Sequence, residues 1–235
     1  MTGGHWRIAC IVATLERMAF RYEEPGATYH ISANALDGMT LFRDDVDREL
    51  FYNLLADQIV DSEWTLLEYT LMSTHYHLLL RIEKPTLSSG FKRLQSRYAR
   101  AYNRRHDRRG VVWLRRFHSV LIESERHLFE TVRYIALNAP RAKMVEAAEN
   151  WPWCSYGSAI GAYPADPIVN EKELLHLFAG DPRLARRRLR ALVEEKDPRK
   201  RWRQTCVGRS SDAEKLDHAL VKRTVRRDEA AARVG

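Results

Sequence analysis

Residues 63–72 and 75–82 are two apolar runs of strand periodicity, separated only by Ser73-Thr74. A link that short turns the chain straight back, so the two runs predict an antiparallel hairpin. The rest of the pattern builds around it. Residues 27–35 (ATYHISANA) read as a strand ended by the turn signal Asp37-Gly38. Asp44 or Asp45 is placed to cap a helix whose apolar residues Val46, Leu50, Leu54 and Leu55 recur at helical spacing. A second helix is predicted over residues 87–105, with Phe91, Leu94, Tyr98 and Ala101 as its buried stripe and Arg93, Arg97, Arg100 and Arg104 as a basic one. Residues 111–122 read as a further strand. Ser124 caps a third helix running through Asn138, which Pro140 ends. Strands and helices in this order predict an α+β fold: an antiparallel sheet with helices packed on one face, of which the ferredoxin-like arrangement is the simplest.

Three segments are expected. Residues 1–26 are poorly patterned, and Met18 precedes a cleaner start, so the first residues read as sequence upstream of the true beginning. Residues 27–163 form the main domain. Residues 164–235 read as a basic helical tail, opened in part by Asp181-Pro182 and carrying Arg183, Arg186, Arg187, Arg188 and Arg190. The whole chain of 235 residues carries a net charge of +8, which favours a polyanionic partner and gives the tail an accessory nucleic-acid role. Cys10, Cys154 and Cys206 are far apart, odd in number and without a CxxC pair. They support neither a zinc knuckle nor a disulfide framework, and read as reduced thiols of a cytoplasmic protein. Apolar runs such as Leu78-Leu79-Leu80 are far too short to span a bilayer.

The chemistry concentrates at His75-Tyr76-His77. On a strand, residues two apart share a face, so both imidazoles project together, at a spacing suited to one divalent metal. Nothing in periodicity alone demands a metal, and an isolated pair of this kind reads first as two hydrogen-bonded histidines on a half-buried strand. The third helix offers a further donor. His127, Thr131, Tyr134 and Asn138 lie along its polar stripe, and Leu128, Val132 and Ile135 along the apolar one. Tyr134 and Asn138 are one turn apart. The amide oxygen of Asn138 can complete a metal site, and the phenol of Tyr134 beside it is a candidate nucleophile. The plainer alternative is a surface tyrosine stacked on the sheet edge. Between these elements Arg93, Arg97, Arg100, Arg104, Arg105, Arg108, Arg109, Arg115 and Arg116 face a single acid, Asp107, with Tyr98, Tyr102, Trp113 and Phe117 interleaved. Arginines neutralise phosphates and aromatic faces stack on unpaired bases, so these arginines and Trp113 are the candidate DNA contacts; the alternative is a solvated face over core aromatics.

Taken in order, the motifs EPGATYHIS, LFRDDVDRELF, MSTHYHLLL, LQSRYARAYNRRH, WLRRF, YIALNAPRA and WPWCSY resemble the IS200-like tyrosine transposases, and among them the REP-associated tyrosine transposases of bacteria. The resemblance runs from about residue 22 to residue 161. It implies a histidine pair at His75 and His77, a nucleophile at Tyr134 and a third metal ligand at Asn138. It implies a ferredoxin-like domain, often dimeric and nucleoid-associated, that uses Mg2+ or Mn2+ to cut and rejoin single-stranded DNA bearing hairpins through a 5′-phosphotyrosine link. The chain departs from the family's pattern at Ser73-Thr74, at residues 32–35 and at Ala139-Pro140, where the shifted proline alters the helix end carrying Asn138. A descendant that still binds DNA hairpins without cutting them is the alternative. A zinc hydrolase built on His75 and His77 is a third reading, and the basic segment counts against it.

Overall fold

The computed structural model describes residues 23–195. Its four strands, β1 (Thr28–Asn34), β2 (Trp64–Leu71), β3 (His75–Ile82) and β4 (His118–Leu121), form one antiparallel sheet in the order β2-β3-β1-β4. Helix α1 (Asp45–Ser62) joins β1 to β2, and α2 (Leu87–Arg105) joins β3 to β4. This is the expected β-α-β-β-α-β order of a ferredoxin-like domain. Ser73-Thr74 closes the expected hairpin, with Met72 N–H donating to the carbonyl of His75 at 2.8 Å. The last strand is shorter than residues 111–122 would allow. Only His118–Leu121 pair along β1, preceded by an isolated bridge between Trp113 and Ala35.

Strand alternation divides the side chains between two cores. Tyr29, Ile31, Tyr76, Leu78 and Leu80 meet Phe51 and Leu55 of α1 and Phe91, Leu94, Tyr98 and Tyr102 of α2. Each large apolar side chain so buried contributes roughly 1.5–3 kcal/mol before entropy is counted. Tyr102 takes the buried place predicted for Ala101. On α1 the expected stripe shifts, because Val46 is exposed while Asp47 and Phe51 turn inward. A Cβ on Gly90 would collide with the Trp64 indole, which stacks on Phe91 and donates to Thr86 Oγ1 at 2.9 Å. The glycine lets α2 lie directly on that ring.

The expectation of helices on one face describes α1 and α2 and needs correcting beyond them. A third helix, α3 (Glu125–Ala136), crosses the opposite face, where Leu67, Leu79 and Ile122 need cover. Phe129, Val132 and Ile135 supply it. The short helices α4 (Asn138–Arg141), α5 (Tyr156–Ala159) and α6 (Glu171–His176) and the longer α7 (Pro182–Glu194) follow. Leu174, Leu175, Ala185, Leu189 and Val193 extend the same core, and Arg133 of α3 donates to the carbonyls of Leu192 and Glu195. Asp181 caps α7 with Pro182 in its first turn, as the sequence predicts. The segment before residue 23, including Met18, and the tail after residue 195 lie outside the described residues. No helix of the described residues is long and apolar enough to cross a membrane.

Pro140 does not end the third helix where expected. It lacks the N–H that would bond to the carbonyl of Ala136, so the break falls a turn earlier, at Leu137. Pro140 then occupies the first turn of α4, where no intrahelical donor is required.

One buried group gives a stability test. Glu68 on β2 lies beside a register irregularity, its Oε2 without a hydrogen-bond partner. Burial pushes its carboxyl well above the ordinary value, so the fold favours the neutral acid. A raised pKa contributes stability that is fully present below the unfolded value and is lost as pH rises through the folded one. Glu68→Gln stays neutral throughout. Its stability relative to wild type should be constant below about pH 4 and then grow by about 1.4 kcal/mol per pH unit until the folded carboxylate ionises. Thermal melts across that range check it; parallel curves at every pH would show the carboxylate charged in the fold.

Candidate active site

The sheet face beneath α3 is polar at its centre. By strand register His118, Ser32, His77 and Thr70 form one row across the four strands, while Asn34 stands opposite His75. The pair predicted to share a face does so: the His75 and His77 rings lie 5.1 Å apart. α3 lays Tyr134 over them, its ring edge-on to His77 at 5.1 Å. Tyr134 is 40% exposed, so the phenol is open to solvent. One turn on, Asn138 donates through Nδ2 to the Tyr134 carbonyl at 2.8 Å, which leaves its amide oxygen as the accepting group of the side chain. A hydrogen bond also links the Asn138 side chain to His75. The four residues expected to form the site therefore meet in one patch, despite the break at Leu137.

Burial keeps the imidazoles neutral. His77 is pushed down to about 3, first by burial and then by His30 and His75. His75 is lowered by burial, against the opposing hydrogen bond that its ring makes to the Asn138 side chain. Neutral rings keep a lone pair for a cation. Nδ1 of His77 is engaged by Nε2 of His30 at 3.0 Å, and Nδ1 of His75 by Thr74 Oγ1 at 3.1 Å. Nε2 of His77 has no hydrogen-bond partner among the described residues. Two neutral imidazoles and an amide oxygen fit a divalent cation that takes its remaining ligands from phosphate and water. Among the described residues no group of three or more His, Cys, Asp or Glu could hold a metal ion, so the amide is integral to such a set. A hydrolytic zinc site with further acidic or histidine ligands has no support here.

Two residues of the patch escape sequence reasoning. His30, half-buried on β1, touches both His77 and Tyr134, with ring centroids 5.1 and 5.8 Å away. Its own pKa is pushed down to about 4 by burial, then by His127 and His118. Arg141 of α4 lies over the Tyr134 ring, its guanidinium 5.6 Å from the centroid. Alternation along ATYHIS marks His30 as facing away from Tyr29 and Ile31, but only the strand order sets it against His77.

The basic segment divides in two. Arg105 bonds to Asp44 and Asp47, tying the start of α1 to the end of α2, and Arg97 pairs with Asp57. Arg93 donates to Gln58 and Ser62, and Arg108 rests on Met39. Arg100, Arg104, Arg109, Arg115 and Arg116 are exposed and have no acidic partner among the described residues. The aromatics are structural: Tyr98, Tyr102 and Phe117 are buried, with the Tyr98 and Tyr102 hydroxyls donating to the carbonyls of Leu41 and Thr40. Trp113 is half-buried and donates to the carbonyl of Gln95, which ties the indole to α2. Arg115 and Arg116 lie between Leu114, which donates to the carbonyl of Asn34, and His118, which pairs with Ser32. Those same two β1 residues pair on the other side with His75 and His77.

Residues 25–138 match the family described as "Transposase IS200 like". No curated protein matches the chain. A solved structure of a REP-associated tyrosine transposase bound to a REP hairpin shares the fold, with a TM-score of 0.53 at 17% identity, over 63% of this chain and 87% of that one. On that match, residues 25–138, which hold His75, His77, Tyr134 and Asn138, are of the IS200-like transposase family.

Proposed function

We propose that this protein nicks and rejoins single-stranded DNA that carries hairpins, with Tyr134 as the covalent nucleophile. The observation that carries the reading is Tyr134 standing edge-on to His77, with Asn138 one turn away beside His75. The phenol oxygen attacks a backbone phosphorus. The phenol proton leaves to solvent, and the departing 3′ oxygen takes up a proton to become a free hydroxyl. The fragment on the 3′ side of the cut stays on Tyr134 through its new 5′-phosphate as a phosphotyrosine, and a 3′-hydroxyl on another strand reverses the reaction. His75, His77 and Asn138 would hold Mg2+ or Mn2+, which when bound polarises the scissile phosphate. A free phenol ionises near pH 10 and is a weak nucleophile at neutral pH, so it needs such help. The guanidinium of Arg141 over the tyrosine ring adds positive charge where the phosphate must approach. The hairpin carried by the transposase of shared fold supports a similar ligand here, bound by the unpaired arginines; assembly as a dimer and association with the nucleoid belong to the same reading.

The test is a denaturing gel of the protein incubated with single-stranded hairpin DNA and Mg2+ or Mn2+. A label at the 3′ end should stay on the protein through denaturation, a 5′ label should not, and chelation should remove the adduct. Hairpin shifts in a native gel with no adduct under either metal would favour the binding-only descendant.

Arg115 and Arg116 supply a second measurement. Each neutralised phosphate on a single strand contributes about 0.7 to the slope of log affinity against log salt. Arg115→Ala with Arg116→Ala should flatten that slope by about 1.4 and weaken hairpin binding, read by anisotropy across a salt series. Arg97→Ala, whose side chain is held by Asp57, should change the slope far less.

A further inference from the structure

We infer that His30 is a positioning residue that sets the tautomer of His77 and so presents Nε2 of that ring as a ligand. The inference rests on the proposed cation site. Nε2 of His30 lies 3.0 Å from Nδ1 of His77, and two neutral rings at that distance must share one proton between those nitrogens. If Nδ1 of His77 is the donor, its Nε2 carries the lone pair and His30 keeps its proton on Nδ1. The opposite arrangement would put the proton of His77 on Nε2, closing the nitrogen that has no other partner. Metal-binding histidines commonly have their second nitrogen fixed by such an outer partner, which orients the ring as well as the tautomer.

His30 is suited to this by its place in the fold. It projects from the strand that pairs with β3, from a position opposite Leu79. Its ring is tilted 32° to His77 and packs edge-on against Tyr134, so one side chain braces both the ligand and the nucleophile. His30 belongs to neither apolar core, whereas Leu79 opposite it and Val132 and Ile135 of α3 do. A hydrogen-bonding ring at this position therefore serves the polar patch and not the packing.

The experiment uses the full chain without metal, then with Mn2+ alone. Long-range nitrogen–proton NMR on histidine-labelled protein should show His77 protonated at Nδ1 in wild type. His30→Ala should lose that preference and bind Mn2+ about 10- to 100-fold more weakly, followed by the Mn2+ electron paramagnetic resonance signal. His30→Gln, whose amide oxygen can still accept from Nδ1, should restore the tautomer and bring the affinity within a few-fold of wild type. An unchanged tautomer and unchanged Mn2+ affinity in His30→Ala would overturn the inference, as would a folded His30→Gln that restores neither. The nicking reading fails separately: wild-type protein that shows the tautomer and Mn2+ effects but forms no DNA adduct keeps this role for His30 and loses that reaction.

Discussion

Tyr134→Phe should abolish the covalent DNA adduct and lower nicking by on the order of 10⁴-fold or more, the scale seen when a covalent nucleophile is removed. Hairpin affinity and melting temperature should stay near wild type. The argument is that the substitution removes one oxygen and nothing else. The Tyr134 hydroxyl makes no hydrogen bond among the described residues. What holds the side chain is its ring, against His77 at 5.1 Å, His30 at 5.8 Å and the Arg141 guanidinium at 5.6 Å. Phenylalanine keeps all three contacts, and the backbone carbonyl that accepts from Asn138 is untouched. Adduct formation, nicking and native-gel binding measured on one preparation separate the roles. An adduct that survives in Tyr134→Phe would place the nucleophile elsewhere.

The fold and half the site are legible in the sequence because they depend on local periodicity. Two histidines two residues apart on an apolar strand must share a face, and Tyr134 and Asn138 four apart must share a helix side. The bounds of α2 could be read directly, since its apolar stripe and its lack of internal glycine or proline beyond the first turn leave no other element. What the sequence hides depends on which element lies beside which. His30 becomes part of the site only because β1 inserts between β3 and β4. Arg97 and Arg105 look like phosphate contacts until α1 brings Asp57, Asp44 and Asp47 against α2. Tyr102 looks like a stacking platform until the loop before α1 supplies a carbonyl for its hydroxyl. The second layer of helices was hidden for the same reason: a strand with histidines on one face gives no sign that Leu67 and Leu79 on that face will need a helix to cover them.

His75→Ala and His77→Ala should both reduce metal-dependent nicking by about 10²- to 10⁴-fold, the several kcal/mol that polarisation of a phosphate supplies. Their stabilities should differ. His75 is half-buried beside the hairpin turn, and its removal frees only the Thr74 hydroxyl and the Asn138 amide, both close to solvent. His77 is 7% exposed, in the middle of the row from His118 to Thr70. Truncating it leaves Nε2 of His30 without its partner in a largely buried position. An unpaired buried polar group costs about 1–3 kcal/mol. His77→Ala should therefore melt roughly 2–12 °C lower, and His75→Ala within about a degree or two of wild type. Activity and stability thus move together in one variant and apart in the other. If loss of nicking in His77→Ala were only a folding defect, His75→Ala would remain active. If the pair holds the cation, His75→Ala fails at full stability, and raising Mn2+ recovers part of its activity because Nε2 of His77 and the Asn138 oxygen are still in place. Undiminished nicking in a well-folded His75→Ala, or wild-type nicking that chelator does not touch, would remove the metal from the mechanism and leave Tyr134 with only Arg141 to meet the phosphate.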